Sequence, residues 1–89
     1  MFRVEWLQTA LDELARHWTD ADPVLRQALT VASREIDQRL QRDPSHEGES
    51  RPSGRRGTFV APLSATFRIE TDGQAVTVVE IHLFRRRSR

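Results

Sequence analysis

Apolar and polar residues alternate at the start of the chain. Phe2, Val4 and Trp6 fall on one side and Arg3 and Glu5 on the other, the period of a short half-buried strand. From Leu7 the period lengthens to that of a helix: Leu7, Ala10, Leu11, Leu14, Ala15 and Trp18 form one apolar stripe. Thr9, three residues before Asp12, reads as a capping-box-like start. Asp20-Ala21-Asp22-Pro23 then punctuates the chain, with Asp22 as an N-cap and Pro23 in the first helical position, where a missing N–H costs nothing. The second helix is predicted from Pro23 to about Arg42. It buries Leu25, Ala28, Leu29, Ala32, Ile36 and Leu40, turns Arg26, Arg34, Gln38 and Gln41 to water, and stops at Asp43-Pro44. The short connection predicts an antiparallel helical hairpin.

Residues Ser45 to Gly57, with Gly48, Pro52, Gly54 and Gly57, read as a loop. Three strands are predicted after it: Thr58 to Leu63, Ala65 to Glu70, and Ala75 to Phe84, the last two joined by an Asp72-Gly73 hairpin turn. In the last strand Ala75, Thr77, Val79, Ile81 and Leu83 alternate with Val76, Val78, Glu80, His82 and Phe84. The expected fold is a single α+β domain over 1–89, an N-terminal strand and helical hairpin packed on one face of a mainly antiparallel twisted sheet. Arg68, Glu80 and His82 collect on the opposite face. Trp6, Trp18, Phe59 and Phe67 fall on apolar phases and read as core; Phe84 falls on the other phase, next to a basic tail at 85–89.

Charge changes this picture. All fourteen cationic residues are arginine. Residues 1–50 hold six Arg against ten Asp and Glu, a net of −4, and residues 51–89 hold eight Arg against three acids, a net of +5. Arginine stays charged at any working pH and offers a planar fork of donors to paired phosphate or carboxylate oxygens. The segregation points to one surface that holds such groups. A high-GC genome accounts for arginine in place of lysine but not for its unequal distribution. A chain of 89 residues buries only about 60–65% of its unfolded surface, so the core is modest. The absence of cysteine leaves no disulfide framework and no thiolate chemistry. The opening residues carry an acid where a signal sequence is apolar, and no apolar run approaches the ~20 residues of a membrane span. These features lead to the expectation of a soluble cytoplasmic protein without a membrane partner.

Several residues carry candidate chemistry. Arg85, Arg86, Arg87 and Arg89 follow directly from the last strand; as a patch they would neutralise phosphates, and as a plain solvated tail they would only aid solubility. Arg51, Arg55 and Arg56 lie among glycines and prolines whose backbone amides also attract anions. Glu49 is near enough in sequence to pair with Arg51 as an exposed ion pair of no function. His82, two residues from Glu80 on the same strand face, has the chemistry of a general base. Phe84 is the aromatic suited to stacking on a base or filling a partner's pocket. Three scattered histidines without cysteine make no metal-ligand spacing, so neither a metal nor a cofactor is expected.

The order of elements resembles the RelE/ParE superfamily of small bacterial toxins from type II toxin–antitoxin pairs. The carriers run along nearly the whole chain: Phe2 to Trp6, Ala10 to Leu14, Asp43-Pro44, Gly48 to Arg51, Gly54 to Arg56, Phe67 to Ile69, Val76 to Ile81, and Arg85-Arg86. The resemblance implies either ribosome-dependent cleavage of mRNA or inhibition of DNA gyrase, each blocked by a cognate antitoxin that wraps the toxin with an extended or helical segment. For metal-independent RNA cleavage it implies catalytic roles at Glu49, Arg51, Arg56, His82 and Arg85. Arg55, Arg68, Phe84, Arg86 and Arg87 would bind nucleic acid or a partner. Two departures favour an alternative, a catalytically silent binding module of the same fold. Ser64 stands three residues before Phe67, where the family usually has arginine, and tyrosine is absent. A plain RNA- or DNA-binding domain is a third reading, marked by steeply salt-dependent binding to naked nucleic acid.

Overall fold

The computed structural model describes residues 1–70 and 74–84. The alternating start forms β1 (Arg3–Trp6), and two helices follow, α1 (Gln8–Asp20) and α2 (Pro23–Arg42). α2 begins as its sequence directs: the Asp22 carboxylate accepts the Leu25 N–H at 2.8 Å, and Pro23 occupies the first turn. α1 begins earlier than its capping residues suggest. Leu7 donates its N–H to Val78 at 3.0 Å and is itself the N-cap, with no side chain capping the helix. The chain therefore turns helical as soon as β1 ends, and the Asp12 carboxylate accepts from Gln8 at 2.8 Å instead of closing a box with Thr9.

Beyond a short turn at Pro44–His46 come β2 (Glu49–Arg51), β3 (Arg55–Val60), β4 (Leu63–Ile69) and β5 (Ala75–Leu83). They form one sheet in the order β1-β5-β4-β3-β2, with β1 parallel to β5 and the other pairs antiparallel. Both helices lie on one face, giving the expected α+β architecture. The Asp72-Gly73 turn lies outside the described residues.

The core is built from α2 and the central strands: Leu29, Ile36 and Leu40 meet Leu63, Phe67, Val76, Val78 and Ile81. α1 buries only Ala10 completely. The rest of its stripe is expected inside, but Leu7, Leu11 and Trp18 are 40–43% exposed, Leu11 and Trp18 along the groove between the helices and Leu7 beside the sheet. Trp18 instead carries the Arg26 guanidinium 4.3 Å from its ring centroid, and Arg26 also donates to the carbonyls of Trp18 and Thr19. One cation thus closes the junction between the helices.

Three other departures shape the sheet. Thr66 pairs with Glu80 but Phe67 pairs with Val78, so Val79 is an extra residue in β5 and the alternation expected from Ala75 to Phe84 breaks there. Val76 and Val78 face the helices on one side of this bulge, and Ile81 faces them on the other. The predicted loop at 45–57 contains β2 and the start of β3, with Gly48 in a left-handed conformation at φ 70°; a Cβ at Gly48 would lie 1.9 Å from the Gly57 carbonyl oxygen. Phe59, expected in the core, is 56% exposed on the far face of β3.

Where the turn leaves α2, Glu47 accepts from Thr58 at 2.7 Å and from Arg39 at 3.4 Å, while Arg39 Nε donates to Glu35 at 3.0 Å. Hydrogen bonding to Glu35 first, then to Glu47, holds the Arg39 guanidinium above its ordinary pKa. Helix, turn and sheet are tied at this point.

Candidate functional site

Strand register fixes which side chains share the face that the helices leave open. Three rows cross it. The first is Arg51, Arg55, Arg68 and Thr77; the second is Glu49, Gly57, Thr66 and Glu80; the third is Phe59, Ser64 and His82. The Val79 bulge is what brings Glu80 and His82 here. Without it, the phase that buries Val76 and Val78 would carry both residues under the helices.

Directly opposed side chains stand about 4.5–5.5 Å apart at Cβ, and like charges at that distance destabilise a sheet. The first row sets three arginines side by side. Arg68 has its own counter-ion: Nε donates to Glu70 at 3.0 Å, and the Thr77 hydroxyl donates to the same carboxylate. Among the described residues, neither Arg51 nor Arg55 has a carboxylate within ion-pair distance. That pair of guanidinium groups is the least compensated charge on the face, and an incoming anion would relieve it.

A shallow depression of about 430 Å³ opens beside the row, where α1 starts next to the part of β5 that β1 does not reach. Arg55, Arg68, Glu80 and His82 line it from the sheet, and Thr9 and Glu13 from the helix. Within it His82 Nε2 lies 3.1 Å from Glu80 Oε2, a contact that fixes the direction of the imidazole. At the other end of the face Phe59 and Phe84 meet edge to face, with centroids 5.7 Å apart, and both are 56% exposed.

The face therefore holds Glu49, Arg51, Arg55, Arg68 and His82, with Phe84 at its end. It does not bring all of them together. Glu49 is three strands from Glu80 in the same row, about 14 Å at ordinary strand spacing, so Glu49 and His82 do not act on one atom. Arg56 is not on the face at all. It pairs with Phe67 on the helix side, and donates to the carbonyls of Glu47 and Gly48 at 3.0 and 3.2 Å and to Ser50 Oγ at 3.0 Å. A role for Arg56 in holding phosphate is at odds with this placement, because its donors already close the loop before β2. Arg85, Arg86 and Arg87 lie outside the described residues. Phe59 and Gly57 are members of the face that the sequence reading passed over; the alternation Arg55, Gly57, Phe59 against Arg56, Thr58, Val60 carries the signal.

No protein-family model matches this chain, and no curated protein matches it. Solved structures do. The toxin–antitoxin system ParDE of P. aeruginosa superposes with a TM-score of 0.70 at 20% identity, over 96% of this chain and 98% of that one. The fold is that of the RelE/ParE toxins. The RelBE2 toxin–antitoxin complex of Mycobacterium tuberculosis gives 0.65 at 20% identity, over 92% and 96% of the two chains. The isolated RelE toxin of E. coli gives 0.66 at 13% identity, over 98% and 88%. The similarity in fold thus spans almost the entire chain. Within it, no described helix is long and apolar enough to cross a membrane.

Proposed function

We propose that this chain is the toxin of a type II toxin–antitoxin pair and acts in the cytoplasm on a target that carries nucleic acid, with the open sheet face as its phosphate-binding surface. The observation that carries the reading is the opposed pair Arg51 and Arg55, without carboxylate partners among the described residues, beside a depression that also holds Arg68 and His82. The arginines at 85–89, outside the described residues, would add to the charge available for such a target.

The favoured activity is cleavage of mRNA on the ribosome. His82 takes the proton of a ribose 2′-hydroxyl, and the 2′ oxygen forms its bond to phosphorus. The bond from phosphorus to the 5′ oxygen breaks, and that oxygen leaves with a proton from water. Arg55 and Arg68 stabilise the charge that builds on the non-bridging oxygens. Arg51 binds the neighbouring phosphate, and Glu49 borders the path of the strand without touching the reacting atoms. Ser64, directly opposite His82, counts against cleavage because the usual arginine is missing there, and favours the readings without chemistry of the chain's own, a silent binding module or inhibition of DNA gyrase.

The antitoxin side has its own support. Leu11, Leu14, Trp18 and Leu29 line an apolar groove of about 340 Å³ between α1 and α2, on the surface away from the sheet. A helical segment of an antitoxin would cover it, in keeping with neighbours solved as toxin–antitoxin complexes.

Controlled induction in bacteria tests the activity, with mRNA 5′ ends mapped and DNA supercoiling followed separately. New ribosome-dependent 5′ ends that vanish in His82→Ala are expected. Growth arrest with relaxed or broken DNA and no new ends would replace cleavage by gyrase inhibition. No arrest of either kind would leave a silent binding module.

A further inference from the structure

We infer that Gly57 is a positioning residue for Arg51, and that its missing side chain decides how the arginine row meets an anion; the inference rests on the reading of the open face as a phosphate-binding surface. Arg51 stands opposite Arg55, and Gly57 is the diagonal neighbour on β3. A long side chain spans such a diagonal. The Arg51 side chain takes it: an ideal Cβ built on Gly57 falls 2.6 Å from both Nε and Nη2 of Arg51 and 2.7 Å from Cζ. The guanidinium therefore lies in the volume that a side chain at 57 would fill.

The backbone does not demand glycine at this position. Among the described residues the left-handed glycines are Gly48 and Gly54, and Gly57 adopts a conformation open to any residue. Its requirement is steric and concerns the open face. Leaning over Gly57 moves the Arg51 charge away from Arg55, toward the row of Glu49 and Thr66. The displacement is about two residues along the strand, roughly 7 Å. Two guanidinium groups that would otherwise crowd one spot then offer separate sites to a polyanion. A methyl group at 57 would push Arg51 off the sheet and collapse that spacing.

Gly57→Ala in the full-length chain, with Arg51→Ala and the double variant, tests this. The probe is a labelled single-stranded oligouridine, titrated at several salt concentrations, and the Arg51 Nε–H resonance is followed by NMR. Gly57→Ala is expected to melt near the wild-type temperature, to bind about tenfold more weakly, as for loss of one charge-assisted contact, and to reduce the salt slope by roughly 0.7. It should also shift the Arg51 resonance and add nothing once Arg51 is alanine. Unchanged binding in Gly57→Ala, or an equal loss in the Arg51→Ala background, overturns the inference. If wild type does not bind oligouridine, the phosphate-binding reading falls, and the resonance alone decides: moved in Gly57→Ala, positioning stands; unmoved, it is overturned. Should Gly57→Ala fail to fold, recovery of folding in the double variant places the clash on Arg51 and supports the inference, and no recovery overturns it.

Discussion

Arg55 and Arg56 are neighbours in sequence and opposites in use. On the helix-covered side of the sheet, Arg56 donates from all three of its side-chain nitrogens, to the carbonyls of Glu47 and Gly48 before β2 and to Ser50 Oγ within it, each within 3.2 Å. On the open side, Arg55 stands between Arg51 and Arg68 and forms no ion pair among the described residues. The same contrast separates Phe67, buried against the helices, from Phe59, which is 56% exposed. One face satisfies its own polar groups, and the other leaves charge and aromatic surface exposed, as the proposed anion-binding role requires. The pattern matters more than the number of arginines, because a cation already bonded has little left for a ligand.

The largest effect that would break this comparison lies in the aromatics. Phe67→Ala removes a wholly buried ring from the centre of the core and is expected to cost about 3–5 kcal/mol, read by urea denaturation. Phe59→Ala is expected to lose no more than about 1.5 kcal/mol, the scale of an exposed edge-to-face pair. Equal losses would mean that the open face is packed as a core and not held in reserve.

Arginines sharpen the same contrast at smaller scale. Arg56→Ala leaves the carbonyls of Glu47 and Gly48 without their donor, and a loss of about 1–3 kcal/mol is expected. Arg55→Ala removes a like-charge neighbour and should fall within about 0.5 kcal/mol of wild type, while oligouridine binding weakens and loses part of its salt dependence. A destabilised Arg55→Ala with unchanged binding would reverse the two roles.

A polyvalent anion provides the next test. Inorganic phosphate, at ionic strength matched with chloride, should stabilise wild type by about 1.4 kcal/mol once it is near ten times its dissociation constant, or about 6–11 °C in melting temperature for a chain of this size. The shift should shrink in Arg55→Ala and persist in Arg34→Ala, since Arg34 lies on the helices. A shift that ignores Arg55 would be a general salting effect.

Much of this organisation was legible in the sequence, and the illegible part has physical causes. The two helices, the Asp22 cap and the α+β class followed from period and turn chemistry, which are local. The open face was legible only in part. Arg68, Glu80 and His82 were placed on one surface, but the alternation read for β5 ignored Val79, and no residue type announces a bulge. The segment from Arg55 to Gly57 looked like loop because a strand with one face toward solvent and a structural arginine on the other has no apolar period. Arg56 and Phe59 change places for the same reason: β3 starts at Arg55, three residues before the expected Thr58, and without those residues its phase is misjudged, which turns each side chain to the other face. The stripe on α1 was read as core because periodicity records that residues share a face, not whether that face is covered.

The smallest effect concerns two histidine–carboxylate contacts, one on each side of the comparison. His82 and Glu80 meet on the open face, whereas His46 sits in the turn after α2 and brings Nδ1 within 3.0–3.1 Å of both Asp43 oxygens, with Ser45 Oγ 3.2 Å from one of them. Hydrogen bonding from His46, supported by Ser45, holds the Asp43 carboxyl below the usual carboxylate range despite its exposure. A folded-state pKa below the unfolded one means that the stability gained is present above the ordinary carboxylate pKa and is lost as acid carries the solution down through the folded value. An NMR titration of the Asp43 side chain should therefore show a midpoint below about 3.9, and His46→Ala should move it upward. Oligouridine binding is expected to be unaffected, because His46 stands in none of the open-face rows. A binding loss in His46→Ala would tie the turn after α2 to the anion surface, and the division of labour between the two faces would no longer hold.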